Sequence, residues 1–373
     1  MTNLFENESN NSKSKGKKLL ITDLLTPKTG KNGNSESETK KPREATVPEK
    51  NRIKRKVFQT LLELFGNNGK GIVFSLIEKA DGVPIDKITT LDRDDAVYVE
   101  IEENNEGYRA KVTIADVGVL VKPGSKIEHE AQEKAFSRYN GKKGTQHMIP
   151  HEYSEGKLSL GGEYDTPTIT FEIPVNKNGE VGEVIVKKTY FPANNKITYE
   201  EANNILKNPK SPDYAMLRNM QNLTARLESK KLGHNVRAGE VSSHNIVHEM
   251  MVLANQQVAR MFRMNNIPGL FRNHKNNGNA EYSTNCEGHE GLEAKEYGHF
   301  TSPIRRYADY VNLVNLTCFM DGKPYTYSKE KLDQIAKHIN EVEQEIKHGT
   351  RSRVNNIVPL NKNQEGLPKL QKV

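Results

Sequence analysis

Apolar and polar positions alternate over Val97, Val99 and Ile101, which are interleaved with Tyr98, Glu100 and Glu102. A period of two puts one set of side chains on a single face, so a half-buried strand is expected here. The turn Asn104-Asn105-Glu106-Gly107 then leads into a second strand with Ala110, Val112 and Ile114 on one face. Ile169, Phe171, Ile173 and Val175 repeat the pattern, and Asn176-Lys177-Asn178-Gly179 turns the chain into a further strand over Val181 to Lys187. Thr198, with Glu201 three residues later, reads as a capping box that opens a helix ending before Pro209. Helical spacing returns from Ser243 to Arg260, where Val247, Met250, Met251, Ala254 and Val258 share a face. Leu332, Ile335, Ile339, Val342 and Ile346 do the same from Ser328 to His348, with Gly349 placed to close the helix. A short helix is expected over Val57 to Phe65. Strands cluster early and helices late, an α+β layout built on a mixed sheet with surrounding helices.

Composition divides the chain. Of its 373 residues, 34% are hydrophobic and 28% charged, and the mean hydropathy is -0.77. Such polarity indicates that part of the chain does not fold. Residues 1–52 read as a disordered basic tail carrying Lys13, Lys15, Lys17 and Lys18, interrupted by the apolar patch Leu19 to Leu25. This patch suits a docking peptide as well as a solvated tail, and the sequence names no protein partner for it. Residues 53–351 form the globular domain and 352–373 a C-terminal tail. No apolar run approaches the roughly eighteen residues of a membrane span, and the start Met1 to Glu6 lacks the features of a secretory signal. Cys286 and Cys318 alone make no disulfide framework, so a cytoplasmic setting is expected. The net charge of +7 favours a polyanionic partner, nucleic acid ahead of a membrane surface.

The candidate chemistry lies just before the first strand. Asp86, Asp92, Asp94 and Asp95 fall within ten residues and lead directly into the alternating run. Two carboxylates about 5 Å apart repel by roughly 3 kcal/mol at an effective dielectric near 20. Gathered beside a sheet, they need cations, solvent or raised pKa values. Oxygen-only ligands suit hard cations such as Mg²⁺, with Mn²⁺ as the alternative. The calcium-loop pattern fails because Ala96 stands where a third ligand belongs. A second segment, His299-Phe300-Thr301-Ser302-Pro303-Ile304-Arg305-Arg306-Tyr307-Ala308-Asp309, offers paired arginines, whose planar groups match phosphate oxygens. His244 and His248 do not form the zincin pattern, Cys286 and His289 lack a second ligand pair, and no nucleophilic triad motif is present.

The two segments together, Ile-Asp-x5-Asp-x-Asp-Asp-Ala and His-Phe-Thr-Ser-Pro-Ile-Arg-Arg-Tyr-Ala-Asp, resemble the signature pair of the ribonuclease II/ribonuclease R (RNB) family of exoribonucleases. The resemblance spans roughly 80–350. It includes Tyr108 to Val117, Val121 to Ser125, Met148-Ile149-Pro150, Leu158-Ser159-Leu160 and Ile246 to Asn255 in family order. It implies that Asp86, Asp92, Asp94 and Asp95 hold Mg²⁺, that Asp94 and Arg305 are catalytic, and that Tyr139, Arg305 and Arg306 contact single-stranded RNA. The implied activity is hydrolysis from the 3′ end with release of nucleoside 5′-monophosphates. The chain departs from the family where a strand-rich segment carrying a base-clamping aromatic is reduced to Glu228 to Gly239, and no flanking cold-shock or S1 barrel is recognisable. A distributive enzyme is expected on those grounds. Two alternatives stand beside the exoribonuclease: a catalytically weak or inactive RNB-like module that binds RNA or protein, and a DNA nuclease using the same metal logic.

Overall fold

The computed structural model describes residues 78–102, 107–139, 144–275 and 278–355, without side chains for 349–355. The tail 1–52, the Val57 to Phe65 helix and the 103–106 part of the hairpin turn lie outside these residues.

Eleven strands are present among the described residues: β1 (Glu78–Lys79), β2 (Ile85–Asp86), β3 (Asp95–Ile101), β4 (Tyr108–Ala115), β5 (Arg138–Tyr139), β6 (Thr145–Gln146), β7 (Thr166–Val175), β8 (Ile185–Phe191), β9 (Ile197–Thr198), β10 (Phe271–Asn273) and β11 (Glu281–Ser283). The main sheet has the order β1-β8-β7-β4-β3. It is antiparallel except that β1 runs parallel to β8. The expected hairpin forms with Asp95 opposite Ile114 and Ile101 opposite Tyr108. Its register puts Val97, Val99, Ala110 and Val112 into one core with Ile169, Phe171 and Ile173. The opposite face of β7 carries hydroxyls that satisfy one another in the interior: Thr113 with Thr170 at 2.8 Å, and Thr189 with Thr168 and Thr170 at 2.7 and 2.8 Å.

β8 begins at Ile185 rather than at Val181, which makes only an isolated bridge to Val175. The delay follows from a tight return: Gly182 donates to the Pro174 carbonyl, and a Cβ at Gly182 would lie 2.8 Å from Pro174 Cγ. The ladder resumes only after that contact.

The helices are α1 (Val117–Leu120), α2 (Lys126–Lys134), α3 (Tyr199–Leu206), α4 (Tyr214–Leu232), α5 (Ser243–Met264), α6 (Tyr307–Met320) and α7 (Lys329–Asn355). The capping box at Thr198 and Glu201 is formed in both directions. α5 runs one turn past Arg260 because Phe262, four residues after Val258, continues its buried face. α7 continues through Gly349. A glycine costs a helix about 1 kcal/mol relative to alanine, but Thr350 to Asn355 holds no proline that would enforce a stop. α4 and α5 cover the main sheet, while α6 lies in a second core with Leu332, Ile335 and Ile339 of α7. Among the described residues no helix is long and apolar enough to cross a membrane.

α6 is the element that the periodicity does not announce. Every residue from Tyr307 to Leu316 is buried, so its apolar side chains surround the axis and mark no single face. Its buried polar residues tie distant segments together. Asn312 bonds the Leu270 N–H and carbonyl and the His299 carbonyl. Asn315 bonds the carbonyls of Pro268 and Tyr327.

Asp116, between β4 and α1, is 6% exposed and its carboxyl is pushed up to about 6, by burial above all and against the pull of Lys188 and Lys122. A folded-state pKa above the unfolded value of about 3.9 favours folding at low pH, and the benefit disappears as pH rises through about 6. Asp116→Asn keeps the shape and removes the titration. Thermal unfolding from pH 4 to 8 should therefore show the variant gaining on the wild type by on the order of 2–3 kcal/mol. Parallel pH profiles for the two proteins would contradict this reading.

Candidate active site

The acidic segment is fixed by its backbone before its carboxylates are considered. Asp86 ends β2, paired opposite Thr198, and its Oδ1 accepts from the Lys87 N–H and from Thr90 Oγ1, both at 2.7 Å. Ser159 Oγ donates to the Leu91 carbonyl at 2.6 Å and accepts from the Arg93 N–H at 3.2 Å. The Leu160 N–H bonds the Arg93 carbonyl. Leu158 and Leu160 are fully buried on either side of Ser159, so this short stretch is the anvil on which the acidic loop is shaped. Arg93 completes the attachment. It is only 6% exposed, and its guanidinium reaches the carbonyls of Leu160 and Thr90, each at 2.8 Å. A buried cation thus sits in sequence between Asp92 and Asp94. Nothing in the periodicity marks it, because an isolated arginine ordinarily reads as surface.

Asp94 and Asp95 stand where the loop enters β3. Asp94 is 3% exposed. Its Oδ1 accepts from the Ile304 N–H at 2.7 Å and its Oδ2 from Arg305 Nε at 3.0 Å. The arginine segment is itself held in place. Asn255 of α5 accepts the Phe300 N–H at 2.9 Å, and Asp309 accepts the Ser302 N–H at 2.7 Å. Arg305 Nη2 donates to Ser302 Oγ at 2.7 Å. Arg306 is engaged elsewhere: its Nε and Nη2 form a two-point pair with the fully buried Asp309, at 2.9 and 2.8 Å. The structure therefore brings Arg305 to the acids and turns Arg306 toward the start of α6.

The charges are unbalanced. Burial pushes the Asp94 carboxyl up to about 8, opposed first by Arg305 and the Ile304 N–H. Asp95 is pushed up to about 7, again mainly by burial, with Arg305 opposing and Asp86 adding repulsion. Asp92 accepts a hydrogen bond from the Tyr139 hydroxyl, and that contact, after burial, drives the phenol well above its usual range. Among the described residues no three His, Cys, Asp or Glu side chains are grouped so as to hold a metal ion. The acids instead face a guanidinium, a phenol and their own turn. The donor chemistry nevertheless fits a hard cation: every acidic group offers oxygen, and burial, which pushes Asp94 and Asp95 up, disfavours their charged forms unless a cation joins them.

Two aromatic groups border the acids. Tyr139, on β5, is 54% exposed while its hydroxyl meets Asp92. Tyr199 opens α3 directly after the residue paired with Asp86. Its ring stacks on His244 with centroids 3.8 Å apart and planes 13° apart. Burial and then Asp86 and Asp95 push the Tyr199 hydroxyl up to about 12. The sequence reading places no role on Tyr199. The signal was its position immediately after the capping Thr198, since β9 is too short to show any alternation.

The comparisons with known proteins agree with this arrangement. The RNB domain profile matches residues 77–280 and 277–322. Ribonuclease R of Escherichia coli (strain K12) is 24% identical over 363 residues, covering 72% of this chain and 44% of that protein. Ribonuclease R of Thermotoga maritima is 24% identical over 351 residues, covering 72% and 49%. The chain thus spans less than half the length of these curated relatives. Among solved structures, Mycoplasma genitalium RNase R in complex with double-stranded RNA superposes with a TM-score of 0.68 at 20% identity, covering 81% of this chain and 69% of that one. Yeast Ssd1, described as a pseudonuclease, superposes with a TM-score of 0.62 at 14% identity, covering 74% and 44%. With the profile covering both the acidic loop and the arginine segment that meets it, this chain belongs to the RNB domain family.

Proposed function

We propose that the chain is a divalent-metal-dependent exoribonuclease that shortens single-stranded RNA from its 3′ end and releases nucleoside 5′-monophosphates. The observation that carries this reading is the buried Asp94, pushed up to about 8 and held by Arg305 and the Ile304 N–H from a segment far along the chain. Asp95, next to Asp94 in the chain, is also pushed up, to about 7, and Asp86 and Asp92 belong to the same loop. Asp86, Asp92, Asp94 and Asp95 would hold Mg²⁺, or Mn²⁺ in its place. The ion supplies positive charge against the phosphate and acidifies the attacking water.

The chain's own groups do the rest. Arg305 is 41% exposed on its side chain, so its fork is free to leave Asp94 for the oxygens of the terminal phosphodiester. There it offsets charge that grows as water attacks phosphorus and the bond to the 3′ oxygen breaks. Ser302 Oγ keeps the guanidinium aimed. The half-exposed ring of Tyr139 is placed to pack on the 3′-terminal nucleotide. Arg306 contributes by fixing the arginine segment through Asp309 rather than by gripping RNA.

A second reading, an RNB-like module that binds without cutting, draws on the likeness to yeast Ssd1 and on the closure of Arg305 over Asp94. One set of assays separates the two. Purified protein incubated with 5′-labelled single-stranded RNA should cleave it with Mg²⁺ and stop with EDTA. Asp94→Asn should abolish cleavage and leave RNA binding within a few-fold of wild type. Equal cleavage by wild type and variant, or cleavage indifferent to EDTA, overturns the metal assignment; no cleavage by wild type with either metal favours the binding module.

Arg305→Lys keeps the charge and loses the fork. Its turnover at saturating RNA should fall by about tenfold or more, since 1.4 kcal/mol is a factor of ten, while its Kd changes less. Collapsed binding with unchanged turnover would make Arg305 a gripping residue only.

A further inference from the structure

We infer that the far end of the main sheet carries a groove for the phosphodiester backbone of RNA, upstream of the terminal nucleotide; this deepens the RNA reading proposed above and rests on it. The groove is a cavity of about 580 Å³ lined by Tyr108, Lys177, Asn222, Arg226, Lys230 and Asn235 together with small residues and no carboxylate. Asp95 lies opposite Ile114 while Tyr108 lies opposite Ile101. Six residues of antiparallel strand separate the two ends, roughly 20 Å at about 3.4 Å per residue. The groove is therefore distinct from the acidic centre yet joined to it by one hairpin.

The site is built in advance. Arg226 Nη1 donates to the Asn176 carbonyl at 3.2 Å, and Lys230 Nζ to the Gly179 carbonyl at 3.2 Å, so α4 holds the turn between β7 and β8. The Arg226 guanidinium lies 4.5 Å over the Tyr108 ring, which sets its plane. Gly233, at φ 70, ends α4 in the left-handed region that glycine adopts without strain, and the Val236 N–H returns to Ser229 Oγ at 2.8 Å. The short segment after α4 thus forms one wall.

Charge identifies the occupant. Arg226 and Lys230 are bonded to carbonyls rather than to carboxylates, so their charge is not offset by those contacts. The amides of Asn222 and Asn235 line the same cavity. Cations beside amides and an arginine plane stacked on tyrosine suit phosphates, sugar hydroxyls and unstacked bases. A strand whose 3′ end lies at the acids has its 5′ portion available for this surface.

The test is binding of a 16-nucleotide single-stranded RNA by fluorescence anisotropy in EDTA, over a range of salt concentrations. Each lost phosphate contact lowers the slope of log K against log salt by about 0.7 for a single strand. Lys230→Ala should lower it by about 0.7, and Arg226→Gln with Lys230→Ala by about 1.4, which is roughly a 25-fold weakening at 0.1 M relative to 1 M salt. Lys126→Ala, an exposed cation on α2, should leave the slope unchanged. Lys230 is exposed, so Lys230→Ala decides the matter should the double variant fail to fold. Unchanged slopes in variants with wild-type melting temperatures overturn the groove. Loss of binding to a phosphoserine peptide, with the RNA slope intact, overturns the RNA assignment. A changed slope in a protein that never hydrolyses RNA supports the groove and removes the nuclease reading instead.

Discussion

A carboxylate buried among other carboxylates has to be given partners, and the placement of Asp94 governs the rest of the domain. Its oxygens are satisfied by the Ile304 N–H and by Arg305, more than two hundred residues away in the chain. Those two donors arrive together only because the segment before α6 is itself restrained at Phe300, Ser302 and Arg306. On the other side, Ser159 and Arg93 fix the loop that carries Asp86 and Asp92. Two remote segments are thus pinned against each other by polar contacts in the interior, where an unpaired group costs about 1–3 kcal/mol and a pair fixes a unique geometry.

This explains which features could be read from the residues in order. The hairpin of β3 and β4 was legible because one face is buried in hydrocarbon, so period two survives in the sequence. The four aspartates read as a candidate group because they are close along the chain and open onto that strand. Their partners were not legible. Arg93 is a buried cation bonded to carbonyls, which no pattern of charge distinguishes from an exposed arginine. α6 was missed because burial on all sides erases helical contrast, and Tyr199 because its neighbouring strand is two residues long. Arg306 reads as a phosphate-binding group beside Arg305 and equally as a partner of Asp309, and the structure shows the pair with Asp309, three residues on.

The same polar logic separates the two ends of the main sheet. At the β3 entrance the buried Asp94 and Asp95 have Arg305 as their main opposing charge, and the proposed metal ion would add to it. At the β4 entrance Arg226 and Lys230 are held by carbonyls, and the proposed guest there is an anion. A single hairpin carries both, so an extended polyanion touching one end has the other within reach.

The central proposal is that Arg305, which pairs with Asp94, holds the place that a divalent cation would take. Mn²⁺ binding, followed by the electron paramagnetic resonance signal of the free ion at pH 8, tests it most directly. The account requires that the wild type bind Mn²⁺, that Asp94→Asn lose this binding, and that Arg305→Met bind more tightly because the competing guanidinium is gone. Wild-type protein that leaves all Mn²⁺ free, or an Arg305→Met variant that binds more weakly than wild type, would contradict it.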